Sequence, residues 1–194
     1  ESKEIFNPEK INFYLNKSSS KICELDVTDF NSKDCKYTTL KRSTLINFLK
    51  RDLGDLIKTG YKISKINEQE NKIKLFFEND EIKECDHLII SDGVFSKSKS
   101  LISNNQIKPK YNDTLAIRGI LTKYPEDIDN KNISLFLSSD FHQVIYPTGV
   151  QRDLNFIAIM KHKLSTYEQN NHLLFDKDSF IKKILEKIPL ENKK

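Results

Sequence analysis

Glycine is scarce in this sequence. Its 194 residues include five, Gly54, Gly60, Gly93, Gly119 and Gly149, and none of them falls into GxGxxG spacing. That excludes the usual glycine-rich turn whose backbone closely approaches a dinucleotide pyrophosphate. Cysteine is scarce too: Cys23, Cys35 and Cys85 are odd in number and form no CxxC pair. The four histidines, His87, His142, His162 and His172, are scattered. A zinc site needs four close ligands, so no metal is expected. The thiols read as free and held in a reducing compartment. No apolar run approaches a membrane span, and no basic-then-apolar leader opens the chain. A soluble, cytoplasmic protein is the expectation. The single methionine is Met160 and the first residue is Glu1. The chain therefore reads as a processed protein or as part of something longer.

Hydrophobic residues make up 37% of the chain and charged residues 31%, enough for a core under a wet surface. The length suits one large domain or two small ones. The formal net charge is +4, from 32 basic and 28 acidic residues, mostly Lys interleaved with Glu and Asp. A nucleic-acid surface would cluster its cations with little acid nearby, so no nucleic-acid partner is expected.

Residues 10–27 predict a hairpin, "KINFYL" and "KICELDV" around "NKSSS". From Ser43, a plausible N-cap, the period turns helical. Ile46, Leu49, Leu53, Leu56 and Ile57 share a face, and Gly60 ends it. "YKISKI" and "KIKLFF" predict two more strands, "ENDE" a turn, and "DHLII" a short apolar strand covered on both faces. Four strands follow: "TLAIRGILT", "NISLFLS", "HQVIYP" and "LNFIAIM". The chain closes on an amphipathic helix with Phe180, Ile181, Ile184, Leu185 and Ile188 on one face and Pro189 as its stop. The class is α/β (α+β) with two sheet regions.

Three constellations carry chemistry. Asp92-Gly93 follows the apolar "HLII" run. Locally it reads first as a turn. At the carboxyl end of a strand in a doubly wound sheet, the Asp could instead accept from a sugar hydroxyl while the Gly admits a phosphate. Arg42 precedes the predicted N-cap, an unfavourable place for a cation unless an anion sits there. The bland alternative is an exposed side chain. Arg is rare here, at positions 42, 51, 118 and 152 only. His142 and Tyr146 fall on one face of a predicted strand. Such a pair can relay a proton near neutral pH, or it can be a strand end on a wet face.

In this order the segments resemble the FAD-dependent aromatic hydroxylases, single-component flavoprotein monooxygenases of the salicylate and 4-hydroxybenzoate hydroxylase type. "LKRSTLINFL" resembles their Arg-x-x-Leu-x-x-x-Leu segment. "DHLIISDGVFSKSK" resembles their Gly-Ala-Asp-Gly-x-x-Ser-x-x-Arg motif. Asp92, Gly93 and Ser96 match it, with Ile90, Ser91 and Lys99 in place of the Gly, Ala and Arg. "LAIRGIL" resembles their following Tyr-Arg-Gly strand. "HQVIYPTGVQRDLNFIAIM" resembles their His-x-x-x-Tyr-Pro strand and the strand after it. The resemblance covers about residues 10–165.

It implies an enzyme using FAD and NAD(P)H to hydroxylate a small aromatic, phenolic substrate, with oligomerisation left open. Arg42, Asp92 and Gly93 would touch FAD, His142 would take the phenolic proton, and Tyr146 and Pro147 would shape the substrate pocket. It implies a partial FAD-binding, Rossmann-like domain at 36–108 and an antiparallel β-sheet substrate domain. The latter comprises a hairpin at 1–35 and strands at 109–162, with a helical segment at 163–194. Without GxGxxG, this stretch alone is expected to be inactive and to hold FAD poorly. Two alternatives stay open: a ubiquinone-pathway hydroxylase or prenyl reductase of the same fold, and a non-catalytic remnant.

Overall fold

The computed structural model describes residues 4–31, 35–103, 109–149 and 151–188. Four strands come first: β1 (Ile5–Phe6), β2 (Lys10–Leu15), β3 (Lys21–Asp26) and β4 (Thr39–Leu40). Helix α1 (Arg42–Lys50) leads to β5 (Ile63–Gln69), β6 (Lys72–Phe77), β7 (Ile82–Cys85) and helix α2 (Ser98–Ile102). Then follow β8 (Thr114–Leu121), β9 (Ile133–Leu137), β10 (Phe141–Thr148), β11 (Asp153–Lys161), α3 (Thr166–Asn170) and α4 (Asp178–Glu186). The chain divides into two compact units: Glu1–Phe48 with Asn112–Lys194, and Leu49–Tyr111.

The first unit is built on a six-stranded sheet in the order β3-β2-β9-β10-β11-β8. The expected hairpin and the four later strands all form. Every neighbouring pair is antiparallel except β2 and β9, which run parallel. Asp129 sets that junction. Its Oδ1 accepts the Lys131 and Asn132 backbone N–H groups at 2.9 and 3.1 Å, and its Oδ2 accepts Asn12 Nδ2 of β2 at 3.1 Å. Gly149 (φ 68°) and Arg152 (φ 55°) turn β10 into β11. Gly119 of β8 lies under the Phe156 ring, where a Cβ would stand 2.4 Å from Phe156 Cε1.

Alternation sends Phe141, Leu154, Ala158 and Met160 to one face of this sheet, and all four are buried. Leu154 is 0% exposed. Helix α3 starts at a capping box: the Ser165 hydroxyl accepts the Glu168 N–H and the Glu168 carboxylate accepts the Ser165 N–H. Helix α4 buries Phe180 and Ile184. Its expected stop, Pro189, lies outside the described residues.

The second unit carries a three-stranded antiparallel sheet, β5-β6-β7. Two expectations change here. Helix α1 ends at Lys50 rather than running to Gly60, because Gly54 takes a left-handed backbone (φ 40°) and residues Gly54–Leu56 form a 3-10 turn. Ser43 is the second residue of α1, not its N-cap, and Arg42 is the first. The strand expected at "DHLII" is absent, and the strand that forms is the preceding "IKEC". Asp80 (φ 63°) turns β6 back on itself and β7 pairs with it. A continuous apolar run suits a strand with neighbours and cover on both faces. Among the described residues none pairs with it, and Ile89 is 89% exposed.

Candidate functional site

In the first unit, His142, Val144 and Tyr146 project to the face of β10 opposite the buried Phe141 and Pro147. The registers carry that face across the sheet. His142 lies beside Leu137 of β9 and Ile159 of β11, and Val144 beside Leu135 and Ile157. Tyr146 lies beside Asn155. A hollow of about 450 Å³ opens there, lined by Ile11 and Phe13 of β2, Ile133 and Leu135 of β9, Val144 and Tyr146, and residues 37–40. Its volume falls within the usual range for small-molecule sites. The Thr39 hydroxyl fixes the 37–40 wall by donating to the Pro147 carbonyl at 2.5 Å. Asn7 Nδ2 supports it by donating to Thr38 Oγ1 at 2.8 Å and to the Tyr37 carbonyl at 3.0 Å.

His142 and Tyr146 thus share a face, half-buried. Pro147 is fully buried on the other face and reaches the hollow only through its carbonyl on Thr39. Sequence reasoning passed over Arg118 and Asn155. Arg118 sits on the same face of β8, in line with Ile157 and Val144. Asn155 stands directly across from Tyr146, its Nδ2 buried without an acceptor. The alternation of "LAIRGIL" and "LNFIAIM" could have placed each on a face, but only the strand order puts Asn155 beside Tyr146 and Arg118 in line with Val144.

Arg42, the first residue of α1, is exposed and lines neither this hollow nor the one below. Lys41, just before it, is tied by Nζ to Asp153 Oδ2 at 2.8 Å.

In the second unit, Asp92 and Gly93 line a hollow of about 410 Å³ with Ile90, Ser96, Lys99, Ile102 and Ser103. The Asp-Gly pair does make a turn: Gly93 is left-handed (φ 84°), and the Ser96 N–H donates to its carbonyl at 3.1 Å. The carboxylate also serves the start of α2, accepting the Ser98 N–H at 3.2 Å. Hydrogen bonding to Ser96, then to Ser98, holds the Asp92 carboxyl below its usual range. Nothing lies within 4 Å of where a Cβ on Gly93 would stand. An open glycine backbone, an ionised Asp and Lys99 in one hollow fit the sugar and phosphate portion of a nucleotide cofactor.

No protein-family model matches the sequence, and no curated protein sequence does. Solved structures do match. The 2,6-dihydroxypyridine-3-hydroxylase of Arthrobacter nicotinovorans is 14% identical with a TM-score of 0.67, covering 84% of this chain and 42% of its own. Klebsiella pneumoniae HpxO, complexed with FAD and uric acid, is 13% identical with a TM-score of 0.70, covering 92% and 46%. A salicylate hydroxylase substrate complex is 16% identical with a TM-score of 0.65, covering 86% and 44%. This chain spans less than half the length of each of these structures. The likeness establishes the fold: mixed α/β, mostly sheet, the fold of the FAD-dependent aromatic hydroxylases.

Proposed function

We propose that this chain is the substrate-sheet portion and part of the cofactor portion of an FAD- and NAD(P)H-dependent monooxygenase that hydroxylates a phenolic ring. The observation that carries this reading is the pairing of His142 and Tyr146 on one face, next to an apolar hollow, in the fold of the aromatic hydroxylases. Arg42, Asp92 and Gly93 would contact FAD, and Lys99 lines the hollow of Asp92 and Gly93. Bound FAD, reduced by NAD(P)H, would supply the chemistry that places one oxygen atom of O₂ on the ring.

The chain's own residues prepare that ring. The His142 imidazole accepts the proton of the substrate hydroxyl, and the resulting phenolate is more electron-rich and more readily attacked. Tyr146, which is on the same sheet face and lines the hollow where His142 does not, orients the hydroxyl. Pro147 acts from behind the sheet by holding Thr39, and the apolar lining excludes water. General-base help of this kind typically contributes about 10²–10⁴-fold.

The test is His142→Ala in the flavin-bearing protein. Hydroxylation should fall by about that factor of 10²–10⁴. FAD affinity should be unchanged, and NAD(P)H oxidation should continue with peroxide released instead of product. Hydroxylation at the wild-type rate across pH would overturn the assignment.

A further inference from the structure

We infer that the hollow beside Tyr146 selects an uncharged aromatic ring, one with no carboxylate or other anionic substituent. This deepens the proposed function and rests on its reading of the hollow as the substrate site. None of the ten described residues that line the hollow is charged: seven are apolar or tyrosine side chains of the sheet and Leu40, and the others are Tyr37, Thr38 and Thr39.

The polar groups are mostly spoken for. The Thr39 hydroxyl donates to the Pro147 carbonyl at 2.5 Å, and the Thr38 hydroxyl donates to the Lys36 carbonyl at 2.9 Å while accepting from Asn7. What remains is the Tyr146 hydroxyl, with Tyr37 at the margin. That inventory satisfies one neutral hydroxyl on a ring and leaves a carboxylate without a counter-charge.

Two cations near the wall are committed or displaced. Lys41, next to Leu40, is held by Asp153 at 2.8 Å. Arg118 shares the sheet face but stands two strands from β10, with Ile157 between it and Val144. Desolvating a carboxylate against Ile133, Leu135 and Val144 without a paired cation is strongly unfavourable. The same position filled by a methyl group gains by burial.

The experiment compares p-cresol with 4-hydroxybenzoate, the same phenol carrying a methyl group or a carboxylate, titrated at neutral pH into the 194-residue chain by ligand-observed NMR. p-Cresol should bind saturably and on the order of tenfold or more tighter than 4-hydroxybenzoate. Leu135→Lys should narrow or reverse the preference by supplying the missing cation. Thr38→Lys, on the wall outside the sheet, does the same should Leu135→Lys not fold. Equal or tighter binding of 4-hydroxybenzoate, no saturable binding of either, or an unchanged ratio in a folded lysine variant would each overturn the inference. The two readings fail separately. If the flavin-bearing protein binds p-cresol preferentially but hydroxylates no phenol, the proposed function falls and the uncharged-ligand inference stands. If it hydroxylates 4-hydroxybenzoate faster than p-cresol, the inference falls and the hydroxylase reading stands.

Discussion

The two units solve the burial problem to different degrees. The first closes a six-stranded sheet over Leu154, Ala158, Met160 and Phe141, with Phe180 and Ile184 of α4 also buried. The second has three strands, and Leu75, at 8% exposure, is its one buried hydrophobic residue among those described. Leu56, Ile89, Val94 and Phe95 are exposed. Burial of apolar area is the main favourable term in folding, so the first unit holds itself together and the second is marginal. In the proposed roles, the well-built sheet would present the substrate face and the loosely built unit would present Asp92 and Gly93.

The sharpest test of that contrast is cofactor retention. The chain has no GxGxxG, the element that brings backbone close to a pyrophosphate, and its Asp92-Gly93 hollow lies in the weaker unit. The 194-residue chain, mixed with FAD and desalted, should lose its flavin absorbance. A stoichiometric yellow protein would show that the second unit is far better organised than its burial implies.

Core truncation comes next. Leu154→Ala should cost about 2–5 kcal/mol, the usual range for a fully buried leucine, read as a lower denaturation midpoint of the first unit. Leu75→Ala should cost less, because the half-exposed surroundings of β6 can collapse around it. Equal losses would erase the contrast. So would hydrogen exchange as slow in β5–β7 as in β10–β11.

The same contrast explains what was legible in the sequence. The sheet of the first unit could be read because its strands alternate and its hairpins are local: "HQVIYP" and "LNFIAIM" pair across the turn at Gly149. The parallel pairing of β2 with β9 could not, since Asn12 and Asp129 meet across 117 residues of sequence. Nor could the hollow, which needs β2, β9, β10 and residues 37–40 together. Spacing put His142 and Tyr146 on one face and only the family resemblance implied roles for them, whereas placing Arg118 and Asn155 needed the strand order. In the second unit the apolar run at Leu88–Ile90 was a misleading signal, because apolarity marks what a segment would bury and not whether a partner is there. The polar "IKEC" won the pairing through a local turn at Asp80.

Gly93→Ala probes the weak unit at one residue. A left-handed backbone (φ 84° here) costs a side chain about 1–2 kcal/mol. Space is not the obstacle, since nothing stands within 4 Å of the added carbon. The expected result is faster hydrogen exchange at the Ser98 amide, which donates to Asp92, with exchange in β10 and β11 unchanged.

The smallest effect is a pH dependence confined to the first unit. Glu168 accepts the Ser165 N–H and hydroxyl, each at 2.8 Å, and Lys183 of α4 at 2.9 Å. The Ser165 backbone, then Lys183, lower its carboxyl from an ordinary 4.5 to about 2. A depressed carboxylate favours the folded state only while ionised. Its contribution is therefore complete above 4.5 and disappears as pH falls from there through about 2. Glu168→Gln removes the charge and the ion pair to α4. At pH 7 the variant should melt below the wild type. Between 4.5 and about 2 the gap should close, because protonation makes the wild type resemble its variant. Taking the difference between the two melting curves at each pH cancels the other carboxylates, which titrate in both proteins. A gap that stays constant down to pH 2 would mean that the capping geometry, and not the charge, is what Glu168 contributes.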